Sequence, residues 1–474
     1  MDIKENNESP VLRSTELQLH DSVCARTGTL WTAVAHIITG VIGAGVLSLA
    51  WATAKLGWIG GPAALIGFAG VTLVSAFLLS DCYLFPDPDN GPLRLNSYSQ
   101  AVKVYLGKKN QIVCGVCVYI SLVGVGVAYT IVTATYLHKV ISVIVAIFRS
   151  NCYHRKGHYA TCSYGDKNNY FMLLFGVLQI FMSQIPNFHN MLWLSVVAAV
   201  MSFAYSSIGL GLAFGQIIEN RQIEGSVKGS PAENRGAKVW LVFQALGNIA
   251  FSYPFSIILL EIQDTLRSPP AEKQTMKKAS AAAVFITTFF YLCCGCFGYA
   301  AFGDATPGNL LTGFGFYEPF WLVDFANACI VLHLVGGYQV YSQPIFAAME
   351  RVLTERYPQN KLITKFYGFK LPSSRGVTVT LSPMRLCLRT TYVVIITGVS
   401  ILFPYFNEVL GVLGAVGFWP LAVYFPVEMC ILRKKIPVWT RKWLLLRGFS
   451  FVCLLVSVLA LVGSIYGLVA AKLR

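Results

Sequence analysis

The sequence predicts an all-α protein that crosses a membrane repeatedly: two inverted five-helix repeats followed by one additional C-terminal helix, eleven spans in all. Three observations carry this reading. Of 474 residues, 55% are hydrophobic and only 12% charged, against roughly 25% charged in an ordinary soluble chain, which excludes a soluble globular enzyme. Apolar stretches of the roughly 20 residues that cross a bilayer recur from Leu30 to Ala471. Two of those stretches, the first and the sixth, are interrupted near their middles. They are separated by an odd number of crossings, so they run in opposite directions, which is the pattern of inverted repeats.

The first 28 residues are polar and mixed in charge. They lack the apolar core of a secretory signal, so 1–28 reads as a disordered cytosolic tail. The spans then fall at 29–56, 61–83, 111–148, 170–186, 191–217, 237–262, 279–303, 318–349, 383–403, 405–432 and 443–471. The first repeat thus occupies 29–217, an extracellular connector 218–236, the second repeat 237–432, and the eleventh helix 433–474. The third and eighth stretches exceed 30 residues, which implies strong tilt or protrusion beyond the hydrocarbon. Pro86, Pro88 and Pro92 break the chain after the second span, and 97–106 reads as a short amphipathic helix on the inner surface. The basic, proline-interrupted stretch 350–383 reads as a cytosolic connector.

The formal charge of +15 describes topology rather than a nucleic-acid partner. With the N-terminus inside, 25 of the 37 lysines and arginines fall on the cytosolic side, 11 on the other, and Lys139 within a span. Inner loops carry such an excess, so the N-terminus is expected in the cytosol and the C-terminus outside. Attraction to anionic membrane lipid follows as a side effect. The basic residues sit in separate loops without interleaved stacking aromatics, so no nucleic acid is expected.

Most of the 13 cysteines lie in apolar runs, as small hydrophobes. Cys293, Cys294 and Cys296 have no histidine or second cysteine pair in a nearby loop, so no metal site is expected. Cys152 and Cys162 share the polar loop 150–169, which the charge count places outside, where a disulfide is expected. Two free thiols are the alternative.

The first interruption is Thr39-Gly40-Val41-Ile42-Gly43-Ala44-Gly45, three glycines within six residues, each costing about 1 kcal/mol against alanine in a helix interior. The second is Gly247-Asn248-Ile249-Ala250-Phe251-Ser252-Tyr253-Pro254, where proline removes a helical hydrogen bond. Broken helices at membrane depth persist only where the freed backbone faces protein or a watery cavity. Both interruptions are therefore expected to face one central site near the midplane.

The run from Thr32 to Leu47 (TAVAHIITGVIGAGVL) closely resembles the first span of plant amino acid permeases, in the amino acid/auxin permease family. So do Asp87-Pro88-Asp89-Asn90-Gly91-Pro92, Gln184-Ile185-Pro186-Asn187-Phe188-His189, the stretch 247–253, and Phe418-Trp419-Pro420-Leu421. The likeness covers nearly everything after Thr29. It implies the leucine-transporter fold with one extra span, and a proton-coupled amino acid symporter of the plasma membrane. A sodium-coupled amino acid carrier, or a carrier of auxin-like organic anions, is the alternative within the same fold.

An amino acid offers a carboxylate and an ammonium. Helix N-terminal ends present free N–H groups and partial positive charge to the first, and exposed carbonyls receive the second. The backbones of Gly43, Ala44 and Gly45 are the expected carboxylate site, and carbonyls around Thr39, Gly40 and Ala250 the ammonium site. Asn248, Phe251, Ser252 and Tyr253 are expected to supply side-chain contacts, with Phe251 as a lid and the Tyr129 hydroxyl toward the carboxylate. Neither interruption contains Lys, Arg, Asp or Glu, so the pocket is expected to accept neutral zwitterions first, within a broad range that is mainly neutral and extends to acidic amino acids. Ionisable residues inside spans are functional candidates by default, which singles out His36, one turn before Gly40, and His333 in the eighth span. Side by side in the leucine-transporter fold, their spans would let the two histidines share one neighbourhood. Histidine's unperturbed pKa, about 6.5, suits a mildly acidic exterior. The proton is the coupling ion and no other cofactor is expected; a single copy of the chain should suffice. No GxxxxGK[ST] or HExxH occurs, so neither a pump nor a metallopeptidase is indicated.

Overall fold

The computed structural model describes residues 26–87, 91–144, 168–184, 192–253, 255–314, 320–360, 367–370 and 378–473. Cys152 and Cys162 lie outside these residues. Helix α1 (Leu30–Val41) opens on a reciprocal cap in which the Thr32 amide donates to the Thr29 hydroxyl at 3.3 Å and the Thr29 amide to the Thr32 hydroxyl at 2.7 Å. It ends at Val41; after Ile42 and Gly43 the chain resumes as a 3₁₀ segment (Ala44–Ser48) that runs into α2 (Leu49–Ser80).

The expected boundary between the first two spans is visible inside α2 as a kink at Gly57, with φ of 80°. That left-handed conformation suits glycine, and a Cβ there would lie 2.2 Å from the Val227 carbonyl oxygen. Helix resumes right after this kink, ahead of the expected start at 61, and ends at Ser80 rather than at the expected 83. Strands β1 (Leu84–Phe85) and β2 (Leu93–Arg94) then pair antiparallel, bringing the chain to α3 (Tyr98–Ile144). A kink at Gly107, φ 84°, divides α3, so the amphipathic helix and the third span are one bent rod.

Helices α4 (Asn168–Ser183) and α5 (Leu192–Asn220) complete the first half. The connector that follows is tied down: the Trp58 amide donates to Ser226 O at 3.2 Å, and the Ser230 amide to Ala54 O at 2.8 Å. The second half holds α6 (Arg235–Ser252), α7 (Ser256–Asp264), α8 (Glu272–Phe302), the short α9 (Leu310–Gly313) and α10 (Phe320–Arg356). The basic connector carries an antiparallel hairpin, β3 (Tyr367–Lys370) with β4 (Thr378–Leu381). After α11 (Pro383–Leu402) and α12 (Phe406–Gly417), a π-helical segment (Phe418–Tyr424) surrounds Pro420 and leads into α13 (Phe425–Arg433). Helix α14 (Arg441–Leu473) closes the described chain.

Among the described residues, nine helical stretches are long and apolar enough to cross a membrane, and Leu30–Val41 and Asn169–Ser183 are shorter apolar helices. Helix α8 packs on α2 and α1, α10 on α3 and α5, α11 on α4 and α3, and α12 on α6 and α3. Helix α14 covers α6 and α12 from outside. In lipid, where apolar surface gains little by leaving the solvent, small residues let backbones approach. A Cβ on Gly414 of α12 would lie 2.0 Å from the Gly247 carbonyl of α6.

At the end where α1 begins, the backbone of Gly28 exchanges hydrogen bonds with Thr265 O and the Arg267 amide, both at 3.0 Å. Arg26 lies 2.9 Å from Asp264, and Asp81, just past α2, is held between Lys277 and Arg433. Burial disfavours the charge on Asp81, yet its two cationic partners override burial and hold the carboxyl below its ordinary range.

Candidate functional site

The two interruptions meet, and each is shorter than the sequence suggests. The second needs correcting: α6 stays helical through Ser252, so Gly247, Asn248 and Ala250 belong to a regular helix and only 253–255 separates it from α7. Gly247 serves contact with α12 rather than unwinding. Pro254 itself lies outside the described residues.

Each interruption leaves one helix end of each polarity. Val41 and Ser252 close the incoming halves, and the last-turn carbonyls of a helix lack intrahelical partners. On the outgoing side, neither Gly43 nor Phe255 supplies a side-chain cap, so the N–H groups that open the 3₁₀ segment and α7 stay available. The two ends touch: a Cβ on Gly45 would lie 2.6 Å from Ser252 Oγ and 3.2 Å from Ser252 Cα.

Tyr291 of α8 joins them. Its buried hydroxyl lies 2.7 Å from Val41 O and 3.0 Å from Ser252 O, so its single proton is shared between the last carbonyls of the two incoming halves. Among the described residues, no turn, cap or side-chain hydrogen bond reaches the carbonyls one and two residues earlier, at Thr39 and Gly40 and at Ala250 and Phe251.

A cavity of about 120 Å³ opens between the interruptions, α3, α10 and α12. Of the expected substrate residues, Gly40, Gly43, Ala44, Gly45, Tyr129, Ala250, Phe251 and Ser252 line it; Thr39, Asn248 and Tyr253 do not. Asn248 instead faces α12, with its Nδ2 3.4 Å from Asn407 Oδ1. Tyr253 stacks edge-on against Tyr291 at 5.2 Å. Among the described residues, no ionised side chain lines the cavity.

His333 is buried, 5% exposed, and lies against the first interruption. Its Nδ1 is 2.7 Å from Ala198 O. A carbonyl can only accept, so Nδ1 carries a proton and Nε2 is left as the basic nitrogen. Nε2 has no hydrogen-bond partner among the described residues, and a side chain at Gly43 would begin 3.7 Å from it and 3.3 Å from the Tyr129 hydroxyl. The rings of Tyr129 and Tyr205 stand 6.0 and 5.7 Å from the imidazole. His36, by contrast, is exposed on α1, so the two histidines do not share a neighbourhood. The helix turns Ala33, Val34, Ile37, Ile38 and Val41 inward, and His36 lies off that stripe.

Sequence reasoning missed Tyr291, Tyr341 on α10, and Ser121, Ser256 and Phe418, which all line or brace the cavity. One signal was present: His333, Gly337 and Tyr341 recur every four residues, one face of a helix. A Cβ on Gly337 would meet the Tyr129 ring at 2.7 Å, and the rings of Tyr129 and Tyr341 stand 5.8 Å apart.

Residues 26–470 match the family described as Transmembrane amino acid transporter protein. The chain is 81% identical to "Probable amino acid permease 7" of Arabidopsis thaliana, over the full length of both. It is 51% identical to "Amino acid permease 3" of the same plant, over 93% of this chain and 91% of that one. The solved structure of MhsT in complex with L-phenylalanine aligns with a TM-score of 0.49 at 12% identity, over 91% of this chain and 98% of that one. With the family match spanning all but the chain's ends, this protein belongs to the transmembrane amino acid transporter family.

Proposed function

We propose that this chain imports a broad range of amino acids, mainly neutral and extending to acidic ones, by proton symport across the plasma membrane. The observation that carries this is the meeting of two uncapped helix N-termini and two sets of unclaimed C-terminal carbonyls at one cavity without ionised side chains. The amides of Gly43, Ala44 and Gly45 receive the carboxylate, and the carbonyls of Gly40 and Ala250 the ammonium, with Phe251 as lid and Tyr129 near the carboxylate; Thr39, off the cavity wall, is left out of the ammonium site.

Coupling is assigned to His333 rather than His36. A proton on Nε2 would place a buried positive charge with no partner, which is costly. A substrate carboxylate at Gly43 brings the missing counter-charge, and desolvating that carboxylate is costly in turn without the imidazolium. Each ion thus favours binding of the other, and such coupling is reciprocal. Symport follows, because proton and substrate occupy the site best together.

The eleven-span, leucine-transporter-type inverted repeat is part of this proposal. Exchanging each span with the one five places on turns the packing of α10 on α5 into that of α12 on α3, and the α3–α10 and α4–α11 contacts exchange with themselves. This self-consistency supports the repeat. The excess of lysine and arginine supports a cytosolic N-terminus and an extracellular C-terminus.

Purified protein in liposomes tests the reading. An imposed inward proton gradient should drive accumulation of a neutral amino acid in sodium-free buffer, with a matching proton current. Accumulation that needs sodium and ignores the proton gradient would transfer the chain to the sodium-coupled alternative.

A further inference from the structure

Between α13 and α14 the chain makes a tight turn, and beside it an open groove of about 850 Å³ runs along the end of α2. Leu78, Leu445 and Leu446 form its apolar wall, and Lys434, Arg441 and Lys442 line its rim. Six cations fall between 433 and 447. Arg433 is paired with Asp81 and Arg447 with Glu428. No carboxylate pairs with Lys434, Lys435, Arg441 or Lys442 among the described residues, and all four are exposed. This is an apolar trough with an uncompensated positive rim, facing the surroundings of a membrane protein.

The turn is shaped to sit at a membrane surface. Trp439 is 76% exposed and its ring lies 5.5 Å from that of Trp443, a placement typical of tryptophan at the headgroup level. The Thr440 hydroxyl accepts from the Trp443 amide at 3.3 Å, which fixes the start of α14. With Trp439 at that level, the cations would stand at the depth of the headgroups and the leucines at the depth of the acyl chains.

We propose that this groove binds an anionic phospholipid, with its headgroup phosphate on Lys434, Arg441 and Lys442 and an acyl chain along Leu78, Leu445 and Leu446. The charge complementarity selects a lipid that carries net negative charge, and the apolar wall of Leu78, Leu445 and Leu446 selects a lipid over a free anion. A basic pocket between membrane helices recognises headgroups in this way.

The test uses the full chain in nanodiscs of phosphatidylcholine with added phosphatidylserine or phosphatidylinositol 4-phosphate, and reads retention of the anionic lipid by native mass spectrometry. Each cation near a membrane surface is worth about a fivefold change in binding, so K434Q/R441Q/K442Q should weaken retention on the order of 100-fold. L446W, which fills the trough and keeps every charge, should also lower it. K103Q/K108Q/K109Q, on the exposed surface segment of α3, should not. Retention that survives either groove variant, or falls equally in the α3 variant, overturns the site. Displacement by inorganic phosphate at the lipid's own concentration overturns the lipid assignment. None of these readouts involves transport, so the result is independent of the proposed symport.

Discussion

The two interruptions reach the same cavity by different chemistry. The first acts through backbone: Gly43 and Gly45 carry no side chain, one leaving room for His333 and Tyr129 and the other pressed onto Ser252. The second acts through side chains: Phe251 and Ser252, on a helix that is regular to its end, line the cavity. The difference teaches where selectivity and binding are built. Under the proposed reading, the part of a substrate common to all amino acids would be met by backbone that substitution cannot easily change, while the variable part would meet residues that can vary.

The largest effect expected is at the contact between the two. Gly45→Ala would place a methyl group 2.6 Å from Ser252 Oγ and 3.2 Å from its Cα, and overpacking of this kind costs typically 1–3 kcal/mol. Uptake into liposomes should fall at least tenfold. Ser252→Gly in the same chain removes the hydroxymethyl group, leaving only the 3.2 Å approach to Cα, and should return a substantial part of the uptake. If the double variant is no better than the single one, the two interruptions are not pressed together as described.

Next comes the brace. Tyr291→Phe keeps the ring and removes the proton shared by Val41 O and Ser252 O, leaving buried acceptors unsatisfied at a cost of about 1–3 kcal/mol. The unfolding midpoint of the purified variant should drop and uptake should fall several-fold. In Tyr253→Phe, which lacks a cavity-lining role, a smaller loss is expected. Equal stability in Tyr291→Phe and the parent chain would show that the shared hydroxyl does not hold the halves in place.

These contrasts explain what could be read in advance. Most of the long apolar helices were legible because apolar length is a local property, and the first interruption because its three glycines are matched by a second break five apolar stretches on. The extent of the second was misread. Gly247 looks the same in sequence whether it unwinds a helix or lets α12 approach, and only the partner backbone at Gly411 and Gly414 decides between them. Tyr291 was invisible for a similar reason: one tyrosine in an apolar stretch gives no sign that two distant carbonyls will meet it. The histidines were distinguishable only by facing. Helix α1 is apolar on most sides, so its sequence does not mark which side turns inward.

His333→Gln sharpens the comparison on the proton side. The glutamine amide can still bond to Ala198 O but cannot take up a proton, so uptake should continue at a reduced rate with its dependence on external pH flattened. Substrate affinity at neutral pH should change by less than the pH profile does. A variant that keeps the full acid stimulation of the parent would move the coupling residue elsewhere.

The smallest effect is expected at His36, and it is informative for that reason. Its neighbour in sequence, Ile37, is fully buried and Gly40 lines the cavity, yet His36 is exposed on α1. Proximity along the chain would make it a partner of the site, whereas facing makes it a bystander. His36→Ala should therefore leave both the rate and the pH profile of uptake within about twofold of the parent, since exposed substitutions away from such features usually change stability by less than 0.5 kcal/mol. A flattened profile in His36→Ala with an intact one in His333→Gln would reverse the assignment. It would mean that α1 rotates during the cycle, carrying His36 from the surface to the chamber, because no static arrangement with Ala33, Val34 and Ile37 packed inward gives it access.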